Sequence, residues 1–169
     1  TLAPEYEAKQ VEIFGAMAKK GYIYRGLKPV YWCAECESSL AEAEVEYHDQ
    51  TSHAIYVKFP VANGQGKIPT DEPAYVLIWT TTPWTLPANE AIALHPQLTY
   101  VLVDTEAGRM LMAEERVTAV AEETGLKQVE VLQRWSGQEL EGVLCRHPFR
   151  DKTSLVILAD HVTLEQGSG

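Results

Sequence analysis

The sequence predicts a strand-rich α/β domain with a barrel-like sheet, preceded by a helix. Three observations indicate this class: the first segment has helical spacing and helical end signals, most later segments have β-rich patterns separated by turn residues, and only one further helix interrupts them. The chain has 169 residues, 46% hydrophobic and 22% charged. These values suit one globular domain, or one domain with an appendage.

The first element is predicted as a helix over about 4–20. Pro4 lies in the first turn, lysines occupy the last turn, and Gly21 follows directly, all of which are helix boundary signals. Its narrow apolar stripe consists of Val11, Phe14, Met17 and Ala18.

Strand patterns dominate the rest. Two short β-rich pieces flank Gly26 in "YIYRGLKPVYWC", and "AEAEVEYHD" (41–49) alternates like a half-exposed strand. The remaining predicted strands are 53–61, 74–80, 99–104, 129–134 and 154–159. "NGQG" at 63–66 predicts a loop or hairpin turn, and a helix over about 113–124 should end at Gly125.

Charge and hydropathy limit the function classes. The formal charge of −10 disfavours a protein that holds nucleic acid by itself through a basic face, so any RNA affinity should be weak, local or supplied by something attached. No apolar run approaches the ~20 residues of a membrane span, and the N-terminus lacks the features of a signal peptide. The expected compartment is the cytoplasm, without a membrane partner.

The most unusual stretch is "LIWTTTPWTLPANEAIAL", residues 77–94. It begins as a buried strand and then concentrates short polar side chains between prolines. One interpretation is strand chemistry followed by a rigid exit. The other is a rigid polar shelf whose hydroxyls and amide N–H groups bind an ester and polarise its carbonyl, without a residue suited to act as a base. The side chains of this shelf are Thr80, Thr81, Thr82, Thr85 and Asn89.

Cysteine and histidine positions leave three interpretations open. "WCAEC" places Cys33 and Cys36 at metal-ligand spacing, and His48 and His53 follow. The set is a self-contained zinc site, half of a site completed elsewhere in a longer protein, or a pair of ordinary reduced thiols. His95, His147 and His161 are single residues near prolines or strand ends, where a structural role is expected.

A known family matches these residues. "WTTTPWTLPAN", from Trp79 to Asn89, resembles the threonine-rich editing peptide of bacterial isoleucyl-tRNA synthetases. The related valyl and leucyl enzymes usually continue with Arg-Pro, where this sequence has Thr82-Pro83-Trp84. "KKGYIYRGLKPVYWCAECESSLAEAEVEY", "HPF" and "LADHVTLEQGSG" are similar to flanking parts of the same connective-peptide insertion.

The resemblance implies a barrel-like editing domain of the valyl/isoleucyl/leucyl-tRNA synthetase type. Residues 1–28 would be a helix and strand at the edge of the synthetase core, and 29–169 would be part of the editing domain. The implied activity is hydrolysis of valyl-tRNA(Ile). It is needed because one missing methylene changes binding by only ~1–3 kcal/mol, a limit for which this synthetase family is the standard example.

The resemblance also implies roles for single residues. Thr81 and Thr82 would be catalytic, and the substrate-binding set would be Trp79, Thr80, Thr81, Thr82, Thr85 and Asn89. No cofactor is implied for editing, while "WCAEC" is similar to one half of a zinc site in some members.

The implied partners are the valine-carrying 3′ end of tRNA(Ile) and the rest of the synthetase chain. In the family, Gly-Ser/Thr-Gly leads into a second editing peptide with a histidine and an aspartate, and here that motif is Gly167–Gly169. Because this sequence stops before that second peptide, the alternative expectation is a non-catalytic segment that binds the aminoacylated tRNA end or docks on the synthetase core.

Overall fold

The computed structural model describes residues 2–169, which form two compact units divided between Asp49 and Gln50. The predicted boundary at 28/29 concerned the edge of the synthetase core, whereas the boundary at 49/50 separates two compact units. The second boundary therefore does not test the first. No helix within residues 2–169 is long and apolar enough to cross a membrane.

The first unit begins with the predicted helix. Helix α1 spans Pro4–Lys19, with proline in the first turn, and the chain leaves it through Gly21 at φ 77°. No residue of α1 is buried, so its apolar side chains are all accessible within this unit. A two-residue strand β1 (Trp32–Cys33) then pairs antiparallel with β2 (Ser38–Ser39).

Two strand predictions in this unit are wrong. Apart from the pairing of β1 with β2, residues 22–40 form no strand in the described chain, and 41–49 contain a 3₁₀ turn at Glu42–Glu44 instead of the predicted strand. Alternating polarity favours a strand only where a neighbouring strand supplies the ladder hydrogen bonds. No strand of the described residues pairs with 41–49.

The cysteine pair lies at the β1 turn. The backbone N–H of Cys36 donates to Sγ of Cys33 at 3.4 Å. This bond, followed by a side-chain bond from Cys36 and a backbone bond from Glu35, lowers the pKa of the Cys33 thiol. Both thiols are free; Cys33 is partly buried and Cys36 is exposed.

The second unit is built on one eight-stranded sheet. Its strands are β3 (Ile55–Asn63), β4 (Ala74–Thr80), β5 (Ala91–Leu94), β6 (Thr99–Thr105), β7 (Arg109–Ala113), β8 (Val129–Ser136), β9 (Leu144–Arg146) and β10 (Thr153–Leu158). The strand order is β5-β10-β9-β3-β4-β7-β6-β8. The strand-rich α/β class with a preceding helix is thereby confirmed.

The predicted barrel-like sheet stays open, because no strand pairing closes it within the described residues. Strand β3 pairs with β4 up to Pro60 and with β9 from Val61, with a register shift between Val61 and Asn63. The shift divides the sheet into two halves that share β3 and pack around one apolar core instead of joining at their edges. Strands β5 and β8 remain its two open edges.

This main core contains side chains from both halves. Phe59 of β3, Leu102 of β6 and Leu111 of β7 cluster with Ile92 of β5 and Val156 of β10. All five are at most 5% exposed. Because both halves of the sheet contribute buried side chains, close packing in this core fixes how the two halves lie relative to each other.

Helix α2 covers the other face of the β4-β7-β6 half. It spans Val117–Thr124, preceded by a 3₁₀ turn at Glu114–Arg116, and ends at Gly125 with φ 75°, as predicted. Val120 is fully buried in a second core that includes Leu77, Val101 and Met110. The sheet half is therefore buried on both faces.

The longer strands confirm their predictions to within about two residues at each end. Strands β5, β7 and β9 were not predicted. They contain only three to five residues, too few for alternation to be distinguished from a loop.

We expect Phe59→Ala to lower the free energy of unfolding by about 3–5 kcal/mol, because it opens a cavity where both halves meet. Phe149→Ala is the matched control. Phe149 is 58% exposed, so its loss should cost no more than about 1 kcal/mol. Urea titration of both variants measures the difference, and equal costs would contradict the shared core.

The three thiols should differ in reactivity. Burial raises the pKa of Cys145 to about 12, so at pH 8 almost none of it is the reactive thiolate. An aromatic disulfide reagent at pH 8 should titrate Cys33 and Cys36 in the folded chain and all three cysteines in denaturant. Rapid modification of three thiols in the folded chain would contradict the burial of Cys145.

Candidate functional site

The threonine segment, defined as Trp79–Asn89, leaves the end of β4 as a compact 3₁₀ turn. Strand β4 ends at Thr80, and the turn spans Pro83–Ala88. Proline at its first position fixes φ near the helical value, and Pro87 restricts the turn further. The prolines therefore give a segment of short polar residues a defined backbone.

Hydrogen bonds within the segment fix its first half. The N–H of Thr82 donates to Oγ1 of Thr80 at 3.0 Å, and the two hydroxyls lie 3.2 Å apart. Thr85 donates to the carbonyl of Thr82 twice, from its backbone N–H at 3.0 Å and from its hydroxyl at 2.7 Å. Three threonines thus satisfy one another's backbone groups.

His147 holds the middle of the segment. The ring is 4% exposed, and its Nδ1 accepts the backbone N–H groups of Phe149 (3.3 Å) and Arg150 (3.1 Å). These two bonds assign the ring proton to Nε2, which donates to the carbonyl of Leu86 at 2.7 Å. The structural role expected for this histidine is that of an anchor beneath the threonine segment.

Asn89 is anchored at the other end of the segment. Oγ of the fully buried Ser154, in β10, donates to Oδ1 of Asn89 at 2.6 Å. The side-chain amide of Asn89 donates to the carbonyl of Ala91 at 2.9 Å. These bonds connect the end of the segment to the adjacent parallel strands β5 and β10.

A cavity of about 660 Å³ adjoins the segment. It is lined by Trp79, Thr80, Thr85 and Asn89, four of the six residues predicted to bind substrate. Further lining comes from β4, from β5 and from the final segment 161–169. Strand ends and a loop therefore form one polar concavity.

Thr81 and Thr82 do not line this cavity. Both are exposed and follow Thr80 directly along the chain. The carbonyl of Thr81 accepts a hydrogen bond from the hydroxyl of Ser52 at 2.9 Å. The two residues predicted to be catalytic thus lie beside the lining residues, and one hydroxyl bond joins Thr82 to Thr80.

Sequence reasoning did not assign most of the final segment to the site. Its polar lining residues are His161, Thr163, Glu165, Gln166 and Ser168. A strand or helix pattern does not mark them, because 159–169 contains neither element. The only signal was the similarity of "LADHVTLEQGSG" to a family segment. No lysine or arginine lines the cavity within the described residues.

An ion pair lies next to the segment. Nζ of Lys152 is 2.7 Å from the carboxylate of Glu90. The hydrogen bond from Lys152, followed by its charge, lowers the pKa of Glu90. Glu90 is largely exposed, so this pair contributes little to stability.

The described residues 2–169 contain no group of three or more His, Cys, Asp or Glu side chains placed to hold a metal. Cys33 and Cys36 thus offer two sulfur donors and no third ligand within that range. The arrangement gives no support to a self-contained zinc site, and the three interpretations stay predictions.

Comparison with known proteins gives consistent results. The sequence profile of the family "tRNA synthetases class I (I, L, M and V)" matches residues 1–144. Isoleucine–tRNA ligases of Moorella thermoacetica and Carboxydothermus hydrogenoformans are each 60% identical over all of this chain. The isoleucine–tRNA ligase of Desulforamulus reducens is 56% identical.

The fold also has a solved counterpart. The crystal structure of GlLeuRS-CP1 matches with a TM-score of 0.57 at 15% identity, covering 69% of this chain and 53% of that one. This likeness concerns the fold. The chain spans 18% of the length of the three isoleucine–tRNA ligases. The match of the family profile to most of the sequence shows that the chain belongs to the class I tRNA synthetases, in the group of the I, L, M and V enzymes.

Proposed function

We propose that the cavity beside the threonine segment binds the aminoacylated 3′ end of tRNA(Ile) and hydrolyses a mischarged valyl ester. The observation that carries this proposal is the convergence of Trp79, Thr80, Thr85 and Asn89 on one cavity. Two relatives of this chain, each 60% identical to it, are isoleucine–tRNA ligases, which supports isoleucine as the cognate amino acid.

The size and polarity of the cavity fit this ligand. A volume of about 660 Å³ lies within the ~300–1,000 Å³ of small-molecule sites, which suits an adenosine with a short aliphatic ester. Trp79 offers an aromatic face, and the threonine hydroxyls and Asn89 amide offer hydrogen bonds to sugar and ester oxygens. The absence of lysine and arginine from the described lining favours contact with the nucleoside and ester over contact with several phosphates.

The proposed chemistry needs positioning more than a strong base. Water adds to the ester carbonyl, the bond between that carbon and the ribose oxygen breaks, and the ribose oxygen takes up a proton, giving valine and free tRNA. Hydroxyls of Thr81 and Thr82, with the substrate's own ribose hydroxyl, would align the water and polarise the carbonyl. Both threonine side chains are exposed beside the cavity and therefore accessible to a bound 3′ end.

Selection against isoleucine would rest on a rigid wall. One extra methylene is rejected only if the surrounding atoms do not move aside, because overpacking costs typically 1–3 kcal/mol in a stiff site. That stiffness comes from the two hydrogen bonds that Thr85 donates to the Thr82 carbonyl, and from the anchoring hydrogen bonds of His147 and Ser154. Isoleucyl-tRNA should therefore escape hydrolysis.

Further parts of the proposal concern the rest of the protein. The relatives are several times longer than this chain, and α1 exposes Val11, Phe14 and Met17. We place this helix against the remainder of the synthetase, where its apolar stripe would be covered.

Cofactor and compartment follow the same reasoning. No cofactor is proposed for the hydrolysis. The N–H···S bond from Cys36 and the lowered pKa of Cys33 suit a thiolate metal ligand. The pair would hold zinc together with two ligands from outside this chain. The proposed compartment is the cytoplasm, where cysteines remain reduced.

One observation favours the alternative function. Thr81 and Thr82 do not line the cavity, so the chain offers a binding site whose predicted catalytic residues lie at its side. In that case the chain would bind the aminoacylated end, or dock on the synthetase core, without turnover.

The central test follows ester loss from valyl-tRNA(Ile) and isoleucyl-tRNA(Ile) incubated with the chain. We expect selective loss of the valyl ester, and a fall of about 10²-fold in its rate for a Thr81→Ala/Thr82→Ala double variant, as when an oxyanion donor is removed. Thr118→Ala is the matched control, because Thr118 is exposed on α2.

The outcomes separate the two functions. Selective hydrolysis that survives in the double variant would remove Thr81 and Thr82 from the mechanism. Binding of valyl-tRNA without ester loss, in a folded chain, would support the non-catalytic alternative. A folded chain that neither binds nor hydrolyses valyl-tRNA would contradict the proposed hydrolysis and the proposed tRNA-binding alternative alike.

A second prediction concerns the anchor. His147→Phe keeps an aromatic ring but leaves the Leu86 carbonyl and two backbone N–H groups without their partner. Unsatisfied buried groups cost about 1–3 kcal/mol, so the free energy of unfolding should fall by about that amount. Valyl ester hydrolysis should slow as well, because the threonine segment loses its central support.

The control for this anchor is His53→Phe, since His53 is exposed and lies outside the residues that line the cavity. Chemical denaturation and single-turnover hydrolysis measure the two effects separately. Unchanged stability in His147→Phe would contradict the anchoring role.

A further inference from the structure

Arg116 connects helix α2 to the final segment that lines the cavity. It lies in the 3₁₀ turn before the helix, and its side chain is only 14% exposed. Its Nε donates to the carbonyl of Gly167 at 2.8 Å, and its Nη1 donates to the carbonyl of Leu164 at 3.4 Å. A single guanidinium thus holds the final segment at two points.

A second pair of residues orients this guanidinium. Nη2 of Arg116 lies 3.7 Å from Oε1 of Glu123, about two turns further along the chain. The other carboxylate oxygen of Glu123 accepts the hydroxyl of Tyr56 at 2.7 Å. Burial, then the bond to Glu123, raises the pKa of Tyr56 to about 12, so the phenol remains a donor at neutral pH.

The position of Gly167 determines how close the final segment comes to Trp79. Gly167 has φ 71°, and a Cβ built on it would lie 2.9 Å from Cβ of Trp79. The next residue, Ser168, is 5% exposed, and its carbonyl accepts the N–H of Ala113 at 2.9 Å. The segment is therefore packed directly against a predicted substrate-binding residue, without free space for adjustment.

We infer that Arg116 is a positioning residue that sets the width of the cavity and thereby its selectivity for the shorter amino acid. The inference rests on the proposed function and adds a residue distant from the threonine segment. The planar guanidinium is suited to this role because its N–H groups point in fixed directions to three partners, which a lysine ammonium cannot reproduce. If these bonds are lost, the wall formed by 164–169 moves away from Trp79 and a larger side chain enters.

The experiment measures binding, so it does not depend on turnover. Non-hydrolysable adenosine 3′-amides of valine and isoleucine are titrated into three proteins. These are the unaltered 169-residue chain and its Arg116→Met and Arg116→Lys variants. We expect the preference for the valyl amide to fall about tenfold in Arg116→Met, mainly through gained affinity for the isoleucyl amide. Arg116→Lys should keep less than half of the preference that Arg116→Met loses, measured as the logarithm of the ratio of the two affinities.

Two further measurements make the result specific. Amide hydrogen exchange at Ala113, whose N–H bonds to Ser168, should accelerate about tenfold or more in Arg116→Met, because the final segment opens locally. Arg134→Met is the matched control. Arg134 pairs with Glu114 at 2.8 Å and has no hydrogen bond or ion pair to the final segment in the described residues, so preference and exchange should both stay unchanged.

Each outcome decides between the proposals. Faster exchange with an unchanged preference would overturn the selectivity role of Arg116 while leaving the proposed function intact. Binding of neither amide by the unaltered chain would overturn the proposed function and the selectivity role together. If Arg116→Met does not fold, Glu123→Gln is compared in the same way, with an expected fall of about threefold, and an unchanged preference there overturns the inference.

Discussion

The register shift of β3 is the constraint on which the rest of the second unit depends. Because β3 pairs with β4 up to Pro60 and with β9 from Val61, one strand belongs to both halves of the sheet. The halves then share the core around Phe59, and the end of β4 lies at the same cavity as β5. Without the shift, a flat sheet would hold these elements in one layer and could not enclose a concavity between them.

Side-chain donors to backbone carbonyls fix the walls of that cavity. Thr85 bonds to Thr82, His147 bonds to Leu86, and Arg116 bonds to Gly167. Loops without ladder hydrogen bonds have few other ways to satisfy buried carbonyls. Each such bond stabilises the fold modestly, about 0.5–1.5 kcal/mol for a neutral pair, and restricts a segment at the cavity. Under the proposed function, the same contacts would contribute to stability and to selectivity.

Much of the fold could be predicted because its longer elements are locally consistent. Strand β4 combines β-branched and aromatic residues with a clear boundary, and α2 ends at a glycine whose left-handed conformation favours that residue. Residues 41–49 misled the prediction because alternation alone does not supply a partner strand. Whether the barrel-like sheet closes could not be predicted for a related reason, since sheet closure depends on pairing between strands that are distant in sequence.

The site shows the same division between local and distant information. Thr80, Thr85 and Asn89 could be selected because a concentration of short polar side chains and prolines after a strand is visible in the sequence, whereas Trp79 was implied only by the resemblance to the editing peptide. Arg116 could not, because nothing near it in sequence indicates that its guanidinium meets a carbonyl 51 residues later. Most of the residues expected to contact substrate are thus ones that local chemistry identifies. The residues that hold them in place come from tertiary packing, and for a selection that depends on one methylene, the placement matters as much as the contact.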